Sequence, residues 1–202
     1  MKNLNYTSFK IEEIRATIAE KEGEKTYNLS GYAALFEKLS VKLGWFREKI
    51  AKGAFEETLK SDIDVKALWN HNRDIVLGAT KSGTLKLSED KKGLKFSLEL
   101  PDTQAGRDAY ISVNRGDVDG MSFGFNTLDH SWNEVDSENI IRTLNQVELH
   151  EISITPFPAY KDTSVQSRSI KDDYENYKQS KKNESIIRSE GELELKKKLI
   201  DL

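Results

Sequence analysis

Apolar and polar positions alternate along much of this chain with the two-residue period of half-buried strands. The cleanest case is Gly93–Leu100 (GLKFSLEL), where Leu94, Phe96, Leu98 and Leu100 share a face before Pro101 ends the run. Asp119–Phe125 (DGMSFGF) puts Met121, Phe123 and Phe125 on one face and Ser122 on the other, between Gly120 and Gly124. Tyr27–Phe36 reads as a strand with Gly31 marking a bulge, and Ile75–Ala79, Thr84–Leu87, Ile140–Leu144 and Val147–Thr155 read as further strands. Val65–His71 (VKALWNH) is β-prone and closes on a histidine. Tyr6–Ile18 alternates loosely and reads as a strand, although IEEIRATIAEKE fits a helix equally well, and Lys21–Lys25 is a charged turn.

Two stretches carry helical spacing instead. Gly53–Leu59 (GAFEETL) stacks Phe55 and Leu59 one turn apart. Asp102 or Thr103 caps a helix running to about Asn114 with Ala109, Tyr110 and Val113 inward. The segment from Phe36 to Lys49 is expected to be irregular, and Asp129–Glu138 a hairpin or loop. Pro156 and Pro158 stop the last strand. Residues 161–202 then turn highly charged, a composition that cannot bury enough surface to fold alone. This segment is expected to be a tail, flexible or helical only when docked on a partner, following a domain over 1–160, with amphipathic turns only at Ile186–Ile187 and at LELKKKLIDL.

Composition narrows the function classes. With 31 basic and 34 acidic residues the net charge is only −3, so no basic field points to specific nucleic-acid binding. The absence of cysteine excludes disulfides, zinc–thiolate sites and a cysteine nucleophile. No apolar run is long enough to span a bilayer and the N-terminus lacks a signal-peptide core, so a soluble intracellular protein is expected. No cofactor is implied.

Candidate chemistry lies on three of the predicted strands, at His71, at Ser122 and at the acidic pair Glu148 and Glu151. A serine hydroxyl becomes a useful nucleophile when an imidazole accepts its proton, and a third group fixes the imidazole. Of three histidines, His130 lies in a polar stretch and His150 stands beside the glutamates, which leaves His71 as the best-placed base. Strict alternation in VELHEISIT sets Glu148 and His150 on one face and Glu151 and Ser153 on the other. The glycines flanking Ser122 are read as room for a substrate backbone or an oxyanion.

The series GYAALF (Gly31–Phe36), GAFEETL, LWNH (Leu68–His71) with LG (Leu77–Gly78), DGMSFGF and LHEISITPFPAY (Leu149–Tyr160) resembles the prohead proteases of tailed bacteriophages. Their fold is similar to herpesvirus assemblin. The resemblance spans Tyr6 to Tyr160 and implies a β-rich α+β domain, a partly closed barrel with a few flanking helices. It implies a serine endopeptidase with Ser122 as nucleophile, His71 as base and Glu151, from the E-[IV]-S motif, as third member. Glu148 and His150 stay open for that third place, because the herpesvirus relatives use a second histidine. Asn72 departs from the family, many of whose members carry an acidic residue after the histidine.

The resemblance further implies an enzyme packaged inside the procapsid, in the cytoplasm of the bacterial host. There it would cut scaffold protein, or a scaffolding segment of the major capsid protein, and process itself, with self-association left open. Residues 161–202 would then be a packaging or autocleaved segment. Two rival readings are a non-catalytic scaffold-binding virion protein and a nucleic-acid module built on Trp45, Trp69 and Trp132.

Overall fold

The computed structural model describes residues 4–10, 14–21, 23–40, 42–136, 139–157, 170–183 and 187–188. The chain divides into two units, Met1–Lys161 and Asp162–Leu202. In the first, the elements follow in the order β1 (Asn5–Lys10), β2 (Arg15–Lys21), β3 (Glu24–Leu35), β4 (Phe46–Ile50), α1 (Glu56–Lys60), β5 (Lys66–Trp69), β6 (Asn72–Ala79), β7 (Leu85–Glu89), β8 (Gly93–Glu99), α2 (Gln104–Asn114), β9 (Gly120–Asp136) and β10 (Asn139–Thr155). Six strands form one sheet in the order β1-β9-β10-β5-β6 with β4 also on β10, and β2-β3-β8-β7 form a second. This is a β-rich α+β fold whose sheets curl into a half-barrel, as the family resemblance implies.

Alternation builds the core. Met121, Phe123 and Phe125 from β9 and Leu149, Ile152 and Ile154 from β10 point inward against Leu29, Leu94, Phe96 and Leu98 of the second sheet. Each large apolar side chain removed from water contributes about 1.5–3 kcal/mol. Helix α1 is anchored from inside, where the Phe55 ring meets Phe123 edge-on at 5.5 Å. Helix α2 begins at Thr103, whose side chain accepts from the Gly106 N–H at 3.2 Å, and it buries Ala109 and Val113.

β10 is the strand around which the sheet is built. β9 runs antiparallel along one edge over nearly its whole length. On the other edge β4 pairs in parallel with Ile140–Leu144 and β5 with Glu151–Ile154. The gap between them would leave buried backbone groups unpaired, at a cost comparable to a lost hydrogen bond each. Helix α1 fills it: the Thr58 hydroxyl donates to the Val147 carbonyl at 3.1 Å and accepts from the Leu149 N–H at 3.0 Å. The Val147 N–H in turn donates to the Ala54 carbonyl at 3.0 Å.

Several expectations need revision. Tyr6–Ile18 is not one strand, because β1 and β2 belong to different sheets. The stretch expected to be irregular contains β4, where Phe46 and Ile50 are buried and the charged Glu48 between them is buried too, which disguised the alternation. Asp129–Glu138 takes the hairpin alternative, with β9 continuing to Asp136, and the two strands expected at its far side are one, β10. Helix α1 starts at Glu56, after a turn through Gly53 at φ +83°. In the second unit a helix, α3, covers 170–183, and the Tyr174 and Tyr177 rings stack at 6.1 Å on it. Ile186 and the stretch LELKKKLIDL lie outside the described residues.

Four strands share one buried polar cluster. Glu48 of β4 accepts from Arg142 of β10 at 3.2 Å and from the hydroxyl of Thr7 in β1, while Arg142 also donates to Thr127 of β9 at 3.1 Å. Burial pushes the Glu48 carboxyl up, with the Arg142 guanidinium pulling it the other way. Removing one member of such a pair leaves an uncompensated buried charge. Arg142→Met is therefore expected to cost about 3–5 kcal/mol in chemical denaturation, and adding Glu48→Gln to recover much of that loss.

Candidate active site

β5 and β6 form a hairpin whose Trp69–Asn72 pairing leaves only Asn70 and His71 in the connection. Both lie in the left-handed region, at φ +50° and +60°, as a two-residue turn matching the twist of its strands requires. Asparagine and histidine are among the residues that tolerate this conformation. Contrary to the expectation of a strand-terminal histidine, His71 thus projects from a tight turn. That turn is fastened to β10 at three successive residues. The His71 N–H donates to Ser153 Oγ at 3.0 Å, the Asn70 N–H to the Ile154 carbonyl at 2.9 Å, and the Thr155 hydroxyl to Asn70 Oδ1 at 2.9 Å.

The histidine ring meets Glu151. His71 Nδ1 lies 2.6 Å from Glu151 Oε1, with the carboxylate side chain only 6% exposed and the imidazole 30%. Ser153 Oγ donates to the other carboxylate oxygen, Oε2, at 2.7 Å. The Tyr6 ring from β1 packs edge-on against the imidazole at 4.6 Å.

Register brings Ser122 to the same face. Ser122 pairs directly with Ser153, and Gly124 with Glu151. Residues opposite one another across a strand pair project from the same side of the sheet. Ser122 is fully buried, and its Oγ donates to the Thr7 carbonyl at 3.3 Å. The three predicted residues, His71, Ser122 and Glu151, therefore converge on one face of the six-stranded sheet.

The strict alternation assumed for VELHEISIT fails at His150. Leu149 pairs with Phe125 and Glu151 with Gly124, so His150 is an extra residue, a β-bulge. The phase reverses there, and Glu148, His150 and Glu151 all line one groove of about 570 Å3 together with Leu68, Val76 and Asn126. Within it Glu148 and His150 pair with each other, Nε2 to Oε1 at 2.7 Å, and Asn126 Nδ2 stands 2.9 Å from both atoms. Of the three candidates for the third place, Glu151 is the one beside His71.

Two further groups escaped the sequence reading. Ser153 looked like one more small residue of an alternating strand, and Tyr6 like one more aromatic. The spacing of the buried residues Val147, Leu149, Ile152 and Ile154, with a step of three in the middle, is the signal by which the bulge could have been found. The tryptophans are engaged in packing: Trp45 stacks on Trp132 at 5.6 Å, Phe46 meets Trp132 edge-on at 5.4 Å, and Trp69 packs against the core.

Gly124 takes on a different meaning from the one its sequence suggests. A Cβ there would lie 2.9 Å from Glu151 Oε1 and 2.9 Å from Tyr6 Cε1. The space beside the serine strand is thus occupied by the carboxylate and the tyrosine ring. Gly124→Ala is expected to lose about 1–3 kcal/mol of stability by overpacking. It should also displace Glu151 from His71, read as a changed His71 ring resonance by NMR.

The fold is similar to that of the bacteriophage T4 capsid assembly protease gp21, with a TM-score of 0.54 and 10% identity over 77% of this chain and 98% of that one. No curated protein matches the chain. The family of caudovirus prohead serine proteases matches residues 13–180. A family match that spans most of the sequence gives the assignment: the chain belongs to the caudovirus prohead serine protease family.

Proposed function

We propose that Ser122 is the nucleophile, His71 the general base and Glu151 the group that orients His71, in a protease that clears scaffold from the maturing procapsid. The observation that carries the reading is the 2.6 Å contact between His71 Nδ1 and Glu151 Oε1, on the sheet face that Ser122 shares. With Nδ1–H donated to the carboxylate, the neutral imidazole has Nε2 unprotonated and able to accept the hydroxyl proton. Ser122 Oγ attacks the peptide carbonyl, and His71 passes the proton to the leaving amine. Water then hydrolyses the acyl-enzyme with His71 again as base. Glu151 holds the tautomer and stabilises the imidazolium that forms at each step.

Because Ser122 has no exposed surface, substrate reaches it only after the segment over it moves. The Thr7 carbonyl that receives its hydroxyl belongs to β1, the neighbour of β9 in the sheet.

The substrate is scaffold protein, or the scaffolding segment of the major capsid protein, together with the enzyme's own chain. The site of action is the procapsid interior within the bacterial host. Residues 1–160 act as the protease domain, and 161–202 as a charged packaging or autocleaved segment. The test is co-expression with the capsid and scaffold proteins encoded beside it, with every chain read by mass spectrometry. Wild type is expected to shorten its partner or its own tail, and Ser122→Ala to leave all chains intact. Glu151→Gln should slow cleavage by about three to four orders of magnitude. Cleavage by Ser122→Ala at the wild-type rate would overturn Ser122 as the nucleophile, and a wild type that binds its partner but leaves every chain intact would favour a scaffold-binding role.

A further inference from the structure

We infer that Ser153 is a positioning residue for His71 and Glu151, a fourth member of the site that seats both at once. The inference rests on the roles proposed above for those two residues. Ser153 is fully buried near the C-terminal end of β10 and stands opposite Ser122 in the sheet. Its hydroxyl has one proton, and the 2.7 Å contact to Glu151 Oε2 takes it, because a carboxylate can only accept. A lone pair of the same oxygen then accepts the His71 N–H at 3.0 Å.

The direction of each bond is therefore fixed, and together they close a ring. His71 N–H donates to Ser153, Ser153 donates to Glu151 Oε2, and Glu151 Oε1 faces His71 Nδ1 at 2.6 Å. The ring holds the histidine at two places, its backbone and its imidazole. It also fixes the carboxylate at both oxygens, so the carboxylate cannot rotate away from the ring nitrogen. The backbone hold matters because His71 sits at φ +60°, a conformation that a non-glycine residue keeps only where its surroundings impose it. Ile154 and Thr155 fasten the neighbouring Asn70, whereas the Ser153 hydroxyl touches both His71 and Glu151 themselves.

The test compares two replacements of equal shape, Ser153→Thr and Ser153→Val, which add the same methyl group and differ only in the hydroxyl. Two readouts are taken on the full chain. The first is the proton spectrum of isotope-labelled histidine, tractable because the chain has three histidines, with His71 assigned by His71→Gln. The second is the rate of capsid or scaffold cleavage on co-expression. Ser153→Thr is expected to keep the hydrogen-bonded Nδ1–H signal of His71 and most of the activity. Ser153→Val should lose that signal to exchange with water and cleave roughly 10- to 100-fold more slowly, as expected for losing a hydrogen bond to a charged group.

Equal His71 spectra and equal rates for the Thr and Val variants would overturn the proposal, as would loss of the signal in both. Ser122→Ala, run alongside, separates this from the wider assignment. It should abolish cleavage and leave the His71 signal in place. If Ser122→Ala still cleaves, the nucleophile is misassigned, while the spectra of the Thr and Val variants still decide whether Ser153 seats the histidine and the carboxylate.

Discussion

One extra residue in β10 decides what this protein's sheet can do. Without the bulge at His150, a strand that keeps Leu149 inward would also turn Ile152 outward and bring Ser153 and Glu151 out of step with its neighbours. With it, the apolar side chains before and after the bulge all enter the core, and Glu151 and Ser153 emerge beside Ser122 and Gly124. The hydrophobic requirement of the core and the chemical requirement of the outer face are met by the same irregularity. Bulges that re-aim a side chain beside an active site are a recurrent device in sheets.

The rest of the architecture keeps that strand in place. β10 is flanked along one edge by β9 and along the other by β4, the Thr58 hydroxyl and β5 in succession. Its Arg142 joins a buried cluster with Glu48, Thr7 and Thr127. The turn carrying His71 is held to β10 by Ser153, Ile154 and Thr155. The short parallel strand and tight turn on one side, and the long hairpin on the other, thus serve a single geometric purpose. They place a histidine, a carboxylate and a serine from three parts of the chain on one surface.

Much of this was legible in the sequence. The alternating stretches gave the strands, the Thr103 start gave helix α2, and His71, Ser122 and Glu151 were each singled out from their surroundings. What stayed hidden has identifiable causes. β4 was masked because a buried position holds Glu48, whose partner Arg142 is far away in the chain. The phase of Glu151 was misread because the period of a strand holds only between bulges. The turn at Asn70–His71 was absorbed into its strand, since tolerance of the left-handed conformation by those two residues became a requirement only once Trp69 and Asn72 paired. Ser153 enters the sequence only as the last residue of the E-[IV]-S motif, because its significance depends on His71, a partner from far away in the chain.

If Ser122 is the nucleophile proposed above, its lack of exposed surface changes what any measured rate of this enzyme means. Turnover would then be the product of the intrinsic chemical rate and the fraction of molecules in which Ser122 is accessible. When that fraction is small, affinity and rate are both scaled down by it. Binding energy from a substrate or a neighbouring molecule that favours the uncovered form returns the lost factor in full. The same active-site atoms can therefore be nearly silent in free solution and fast where such contacts are dense. Latency of this kind needs no inhibitor and no chemical modification, only a closed state a few kcal/mol below the open one.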